Sequence, residues 1–164
     1  MAGTTFVYNC KTEADTENLA CSLAEISHAG DVWALFGTLG MGKSVFSRAF
    51  VKKLTDAAEV PSPTFTLVQT YSAPEFEIYH YDLYRLKSPE EIWELNIEEA
   101  VYTGVCLIEW PEKMGAYLPK NIFKVNISAQ PDGGRKIAIT VNSDDKNKRL
   151  QAMERRADEQ INEN

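Results

Sequence analysis

Val32-Trp33-Ala34-Leu35-Phe36, then Gly37-Thr38-Leu39-Gly40-Met41-Gly42-Lys43-Ser44, then Val45-Phe46-Ser47-Arg48-Ala49-Phe50-Val51: an apolar run, a glycine-rich loop and a helix-like stretch follow one another directly. The middle segment spells G-x-x-x-x-G-K-S, the pattern of a phosphate-cradling loop. At ordinary amino-acid frequencies its four specified positions arise by accident in about one chain of this length in a few hundred, and the flanking strand and helix lower that further. The order is the physical device, because loop N–H groups and the positive end of the helix converge on phosphate oxygens. Gly40 and Gly42 let the backbone curl closely, in conformations that a Cβ would obstruct. Lys43 is expected to reach the β- and γ-phosphates, and the Ser44 hydroxyl to ligate Mg²⁺. The fold class predicted is α/β, a P-loop NTPase-like three-layer sandwich with a mixed, partly parallel central sheet flanked by helices.

Such a loop needs an acidic residue at the end of a neighbouring strand, to hold Mg²⁺ directly or through water. Glu109 ends the continuous apolar run Val105-Cys106-Leu107-Ile108, as expected of a parallel strand buried on both faces. Its carboxylate would emerge at the sheet's C-terminal edge, where open α/β sheets bind ligands. The plainer alternative is a strand-end carboxylate facing water. Asp82 continues the alternating stripe Phe76, Ile78, His80, and an acid in that stripe is out of pattern unless it faces a site. It could orient the attacking water, assist Mg²⁺, or cap a turn. Arg85 could pair with Asp82, touch phosphate or ride on the surface, with pairing the simplest. Thr64, after Pro61-Ser62-Pro63, is a candidate switch residue whose hydroxyl senses Mg²⁺ or the γ-phosphate. Trp110 and Pro111 either shape the site or pack the core.

The remaining elements can be placed around these. Phe6-Val7-Tyr8 is a short strand; Thr12 offers an N-cap with Asp15 at N3, and Leu19, Leu23 and Ile26 recur at helical spacing toward a stop at Gly30. A helix should run from about Gly42 to Leu54. Phe65–Tyr71 and Phe76–Tyr81 read as a hairpin around Ser72-Ala73-Pro74. Ser88-Pro89-Glu90-Glu91 is a helix start, and Phe123–Ser128 with Lys136–Val141 form a second hairpin across Pro131-Asp132-Gly133-Gly134. The charge-rich end, 144–164, reads as a helix or tail, with Leu150, Met153, Ala157 and Ile161 on one face.

Composition bounds the function. A chain of 164 residues, 44% hydrophobic and 25% charged, is one ordinary domain. No apolar stretch reaches the ~20 residues of a membrane span, and Met1-Ala2-Gly3-Thr4-Thr5 lacks the features of a signal peptide. Net charge is −7 without a basic stripe, so tight direct nucleic-acid binding is not expected. Cys10, Cys21 and Cys106 are widely spaced and odd in number, which fits a reducing cytoplasm; Cys21 and Cys106 read as small buried hydrophobes. His28, near a helix end, reads as a favourable charge rather than a ligand.

The P-loop, then Ser62-Pro63-Thr64-Phe65-Thr66-Leu67-Val68, then His80-Tyr81-Asp82-Leu83-Tyr84-Arg85-Leu86, then Ile108-Glu109-Trp110-Pro111-Glu112 together resemble the TsaE family, formerly YjeE. The likeness covers residues 12 to about 140 in order and spacing; the last twenty or so residues carry no family motif. The resemblance implies a small bacterial α/β ATPase of tRNA threonylcarbamoyladenosine biosynthesis, acting with TsaB and TsaD. TsaD would transfer the threonylcarbamoyl group to the adenosine beside the anticodon, so tRNA would be met only through the complex. ATP hydrolysis would reset the TsaB–TsaD complex between turnovers, leaving ADP. By the same likeness Leu39, Gly40, Met41, Gly42, Lys43 and Ser44 would cradle phosphate, and Ser44 and Glu109 would hold Mg²⁺ with Thr64 nearby. Asp82 would be needed for hydrolysis, and Glu13 and Arg135 would flank the adenine or ribose. The chain departs from the family at Thr38, where Asp is usual, and at Met41, where Ala is frequent.

Other functions share some of these parts. A small-molecule kinase would need an acceptor pocket and an Arg-rich lid, and Arg is sparse between Lys87 and Lys120. A GTPase would carry N-K-x-D and D-x-x-G, which the sequence lacks. A nucleotide-stabilised interaction module with incidental hydrolysis is the non-enzymatic alternative.

Overall fold

The computed structural model describes residues 3–38 and 40–163, with side chains to position 158. Seven strands form one sheet: β1 Thr4–Cys10, β2 Val32–Phe36, β3 Val68–Ser72, β4 Glu77–Asp82, β5 Val105–Glu109, β6 Phe123–Ala129 and β7 Arg135–Val141, in the order β1-β7-β6-β2-β5-β4-β3. β2 is parallel to β5 and β6, and β4 is parallel to β5; the outer pairs β1–β7, β6–β7 and β3–β4 are antiparallel. This is the mixed, partly parallel sheet of the P-loop NTPase-like α/β class.

Helices cover both faces. One layer holds α1 (Glu13–Glu25) and α2 (Lys43–Leu54), packed with α4 (Asp144–Glu163) over Trp33, Leu35, Leu107, Phe123 and Val125. The other holds two 3-10 segments, Pro89–Leu95 and Pro111–Tyr117, with α3 (Ile97–Thr103), over Val32, Ala34, Tyr79, Tyr81, Cys106 and Ile108. Every side chain of β5 is buried, as a central parallel strand requires. Trp33 stacks on Phe123 with 3.8 Å between ring centroids, and its indole N–H donates to Ser27 Oγ at 3.1 Å. The largest side chain in the core thus leaves no orphan donor. No helix among the described residues is long and apolar enough to cross a membrane.

Several local expectations meet tertiary competition. The Thr12–Asp15 capping box forms in full, but α1 stops at Glu25 and not near Gly30. Ser27 Oγ donates to Leu23 O at 2.9 Å, and Asp31 Oδ2 accepts the His28 N–H at 2.7 Å, so side chains divert the chain before the glycine is reached. His28 itself is exposed beyond the helix. The first hairpin strand begins at Val68 rather than Phe65: Thr64–Thr66 turn, Leu67 has φ +67°, and its N–H donates to Pro63 O at 2.8 Å. Ser88 precedes a 3-10 segment and makes no side-chain cap bond; Asn96, at φ +60°, separates that segment from α3. On α4, Leu150 and Met153 are buried but Ala157 is exposed, and Ile161 lies outside the described side chains. Cys21 is only half-buried, whereas Cys10 and Cys106 are buried, and burial pushes the Cys106 thiol up to about 12.

Candidate functional site

Three adjacent parallel strands deliver the site. β2 runs into the glycine-rich loop, β5 ends on Glu109 and β4 ends on Asp82. In register, Leu35 pairs with Glu109 and Glu109 with Asp82, so both carboxylates stand on the α1/α2 face beside the loop. They open with the loop into one cleft of about 680 Å³. Glu13, Gly40, Met41, Gly42, Lys43, Ser44, Thr64, Asp82, Glu109 and Arg135 all line it; Leu39 lies outside the described residues. Gly40 and Gly42 have φ of +82° and +97°, and a Cβ at either would meet nothing within 4 Å. The backbone angle, not space, therefore selects glycine there.

Lys43 opens α2. Its ammonium donates to Gly37 O at 2.7 Å and lies 3.6 Å from the centre of the Trp110 ring, which leaves further N–H donors for an anion. Burial pushes its pKa below the ordinary lysine value, while Glu109, Glu112 and Asp82 pull it back up. Trp110 reaches that position through a left-handed backbone, φ +59° and ψ +49°. Such a conformation costs roughly 1–3 kcal/mol in a residue without special tolerance for it, held here where the chain leaves β5. The Trp110 ring also meets Tyr84, with 5.0 Å between centroids, so tryptophan belongs to the site wall as well as to packing.

Asp82 caps a turn and lines the cleft. Oδ1 accepts the Tyr84 N–H at 3.1 Å, a turn-capping bond, while Oδ2 accepts from Ser62 Oγ at 3.4 Å. Ser62 Oγ in turn lies 3.1 Å from Thr64 Oγ1, so the segment 61–64 brings one hydroxyl onto the carboxylate and a second beside it. Arg85 does not take the Asp82 pairing expected of it; its guanidinium lies over the Phe65 ring, 4.7 Å from the centroid. The remaining donor set is hard oxygen, a Ser44 hydroxyl and one or two carboxylates. That suits Mg²⁺, which keeps several waters and shares substrate phosphates instead of sitting in a protein cage. Among the described residues no three His, Cys, Asp or Glu side chains converge as such a cage.

A family model described as "Threonylcarbamoyl adenosine biosynthesis protein TsaE" matches residues 10–137. The chain belongs to the TsaE family. Curated relatives named tRNA threonylcarbamoyladenosine biosynthesis protein TsaE include one from Rickettsia conorii, 42% identical over 83% of this chain and 78% of the relative. Another is from Rickettsia bellii, 43% identical over 79% of this chain and 90% of the relative. A third, from Bacillus subtilis, is 34% identical over 77% and 79%. A crystal structure of Bacillus subtilis YdiB is similar with a TM-score of 0.79 and 24% identity, over 96% of this chain and 99% of that one. That likeness speaks for the fold.

In this TsaE-family chain two features lay beyond local reading. Arg135, on β7, donates to Met41 O at 3.2 Å, Gly40 O at 3.3 Å, Gly133 O at 3.0 Å and Gly134 O at 2.9 Å. Its guanidinium braces the glycine-rich loop against the β6–β7 turn, a support the sequence did not suggest. His80 Nε2 lies 2.6 Å from Glu109 Oε2, with both side chains buried. The only sequence signal for that contact was a polar residue in the same alternating stripe as Asp82.

Proposed function

We propose that this protein is a Mg²⁺-dependent ATPase that binds and hydrolyses ATP to support the TsaB–TsaD pair in threonylcarbamoyladenosine modification of tRNA beside the anticodon. The single observation that carries this reading is the register Leu35–Glu109–Asp82, which sets two carboxylates next to a phosphate-cradling loop in one cleft. In this reading the N–H groups of residues 39–44 and the Lys43 ammonium bind the phosphates. Glu13 and Arg135, lining the cleft with the β6–β7 turn, flank the adenosine. Ser44 and Glu109 would hold Mg²⁺ with Thr64 close by, and the ion would supply charge neutralisation for the phosphates. Asp82 orients a water toward the γ-phosphorus. The water oxygen forms the new P–O bond, the bond from the γ-phosphorus to the bridging oxygen breaks with its electron pair left on ADP, and one water proton stays on the departing phosphate while the other goes to solvent. Positioning and charge neutralisation carry this chemistry.

Both arginines that line the cleft are already engaged, Arg85 on Phe65 and Arg135 on loop carbonyls. This supports slow turnover alone and stimulation by a partner, because phosphoryl-transfer sites gain about 10³–10⁵ from a free arginine. Three free thiols suit a reducing compartment, and we place the protein in the cytoplasm, reaching tRNA only through the complex. Phosphate release measured with and without the TsaB–TsaD pair, on wild type and Asp82→Ala, tests the reading. Slow release alone, clear stimulation by the pair, and an Asp82→Ala variant that binds ATP without turning it over are expected. Brisk hydrolysis indifferent to the pair would overturn it.

A further inference from the structure

We propose that His80 is the positioning residue for Glu109: its buried imidazole holds the carboxylate in one orientation through the Nε2–Oε2 hydrogen bond and so aims it at the metal. The inference rests on the Mg²⁺–nucleotide reading above. His80 pairs in register with Leu107, two residues before Glu109, and its ring reaches along β5 to the strand end. For Glu109 to offer its other oxygen to a cation it must accept this bond, which makes Nε2 the donor. Nδ1 is then an acceptor, buried and without a hydrogen-bond partner among the described residues. The imidazole is 2% exposed.

That arrangement is costly for a purely structural residue. Leaving a buried polar atom unpaired is unfavourable, and away from the two acids at the cleft end His80 has Ile78, Val105 and Leu107 as apolar neighbours on the same face. A leucine would fill the position without that cost. What a leucine cannot do is hold one carboxylate oxygen and leave the other, Oε1, without a hydrogen bond among the described residues and toward the cleft that Glu109 lines. Side chains that orient a metal-binding group in this way typically change metal affinity or activity by about 10–100-fold.

The test separates donor position from bulk. Glutamine places an amide N–H where His80 Nε2 stands, asparagine places one nearer Nδ1, and leucine offers none. ADP binding is measured by calorimetry in EDTA, and Mg²⁺ is then titrated into each ADP complex, with thermal melts reporting folding. Wild type and His80→Gln should hold Mg²⁺ within about threefold of each other, while His80→Asn and His80→Leu should weaken it about 10–100-fold. ADP affinity in EDTA should stay within about twofold across all four. In a Glu109→Gln background, His80→Leu should have no further effect on Mg²⁺, because the group it orients no longer carries its charge. Folded Asn and Leu variants with wild-type Mg²⁺ affinity would overturn the inference alone, as would a Gln variant as weak as Leu. A wild type with no Mg²⁺-linked ADP binding would overturn the functional reading and this inference with it.

Discussion

Strand β2 has buried charge at both ends, and the two ends are built differently. Just before it, Asp31 accepts from Arg149 Nη1 at 2.6 Å and Nη2 at 2.9 Å and from the His28 N–H at 2.7 Å. Arg149 also donates to Ile26 O at 2.8 Å and to Asp145 at 3.0 and 3.2 Å. Each guanidinium nitrogen is used, and the group rests over Phe123. Just after β2, Lys43 has one carbonyl and a ring, Glu109 one imidazole, and Asp82 a backbone N–H and a long hydroxyl contact. The first cluster is closed and ties α4 to the sheet. The second is open toward the cleft, with donors and acceptors still to satisfy. A buried charge fully partnered by its own chain is costly to unpair, whereas one left partly free is available to a ligand.

That contrast can be broken by substitutions at either end. Lys43→Met keeps the stem and removes the charge; ATP turnover with the TsaB–TsaD pair should fall by about a hundred- to a thousandfold, with little change in the melting temperature. Steady-state phosphate release and a thermal melt on one preparation check both halves. Asp31→Ala should do the reverse. Removing the buried partner of Arg149, which keeps only Asp145 and the Ile26 carbonyl, should cost about 3 kcal/mol, read as a lower urea midpoint, while ADP affinity of the folded protein stays within about twofold. If the two variants lost stability equally, the open cluster would be structural after all.

Glu109→Gln sharpens the comparison. Removing a charge from the open cluster should change stability by less than about 1 kcal/mol, or raise it, while abolishing turnover, since sites poised for a ligand are not optimised for stability. Chemical denaturation beside the activity assay decides this. The smallest effect is expected at Tyr8→Phe, which removes the 2.9 Å bond to Glu154 on α4. Burial beside that carboxylate raises the Tyr8 pKa, so the phenol remains the donor at neutral pH. Its loss should cost about 1 kcal/mol, measurable as a small shift in the same urea midpoint.

How much of this was legible before folding depends on distance along the chain. The glycine-rich loop could be read because its chemistry is a run of consecutive residues with a strand before and a helix after. Glu109 and Asp82 could be suspected because each ends an apolar pattern that has no reason to end in an acid. Arg135 also ties its guanidinium to the Gly40 and Met41 carbonyls, partners that no local pattern announces. His80 looked like one more position in a stripe. The Asp31–Arg149 lock spans 118 positions and left no trace beyond two charged letters. Phe65-Thr66-Leu67 misled because β-prone composition there yielded to a turn closed by Pro63 and a left-handed Leu67.

From the sequence alone came the glycine-rich loop between a strand and a helix, the class of sheet and the two strand-end acids, since periodicity and loop composition are local properties of the chain. The order of the strands, the register that sets Leu35, Glu109 and Asp82 side by side, and the partners of His80, Arg135 and Arg149 were decided only in the folded molecule. Strand pairing and buried ion pairs depend on which distant segments exclude water together, and that is settled by packing of the whole chain.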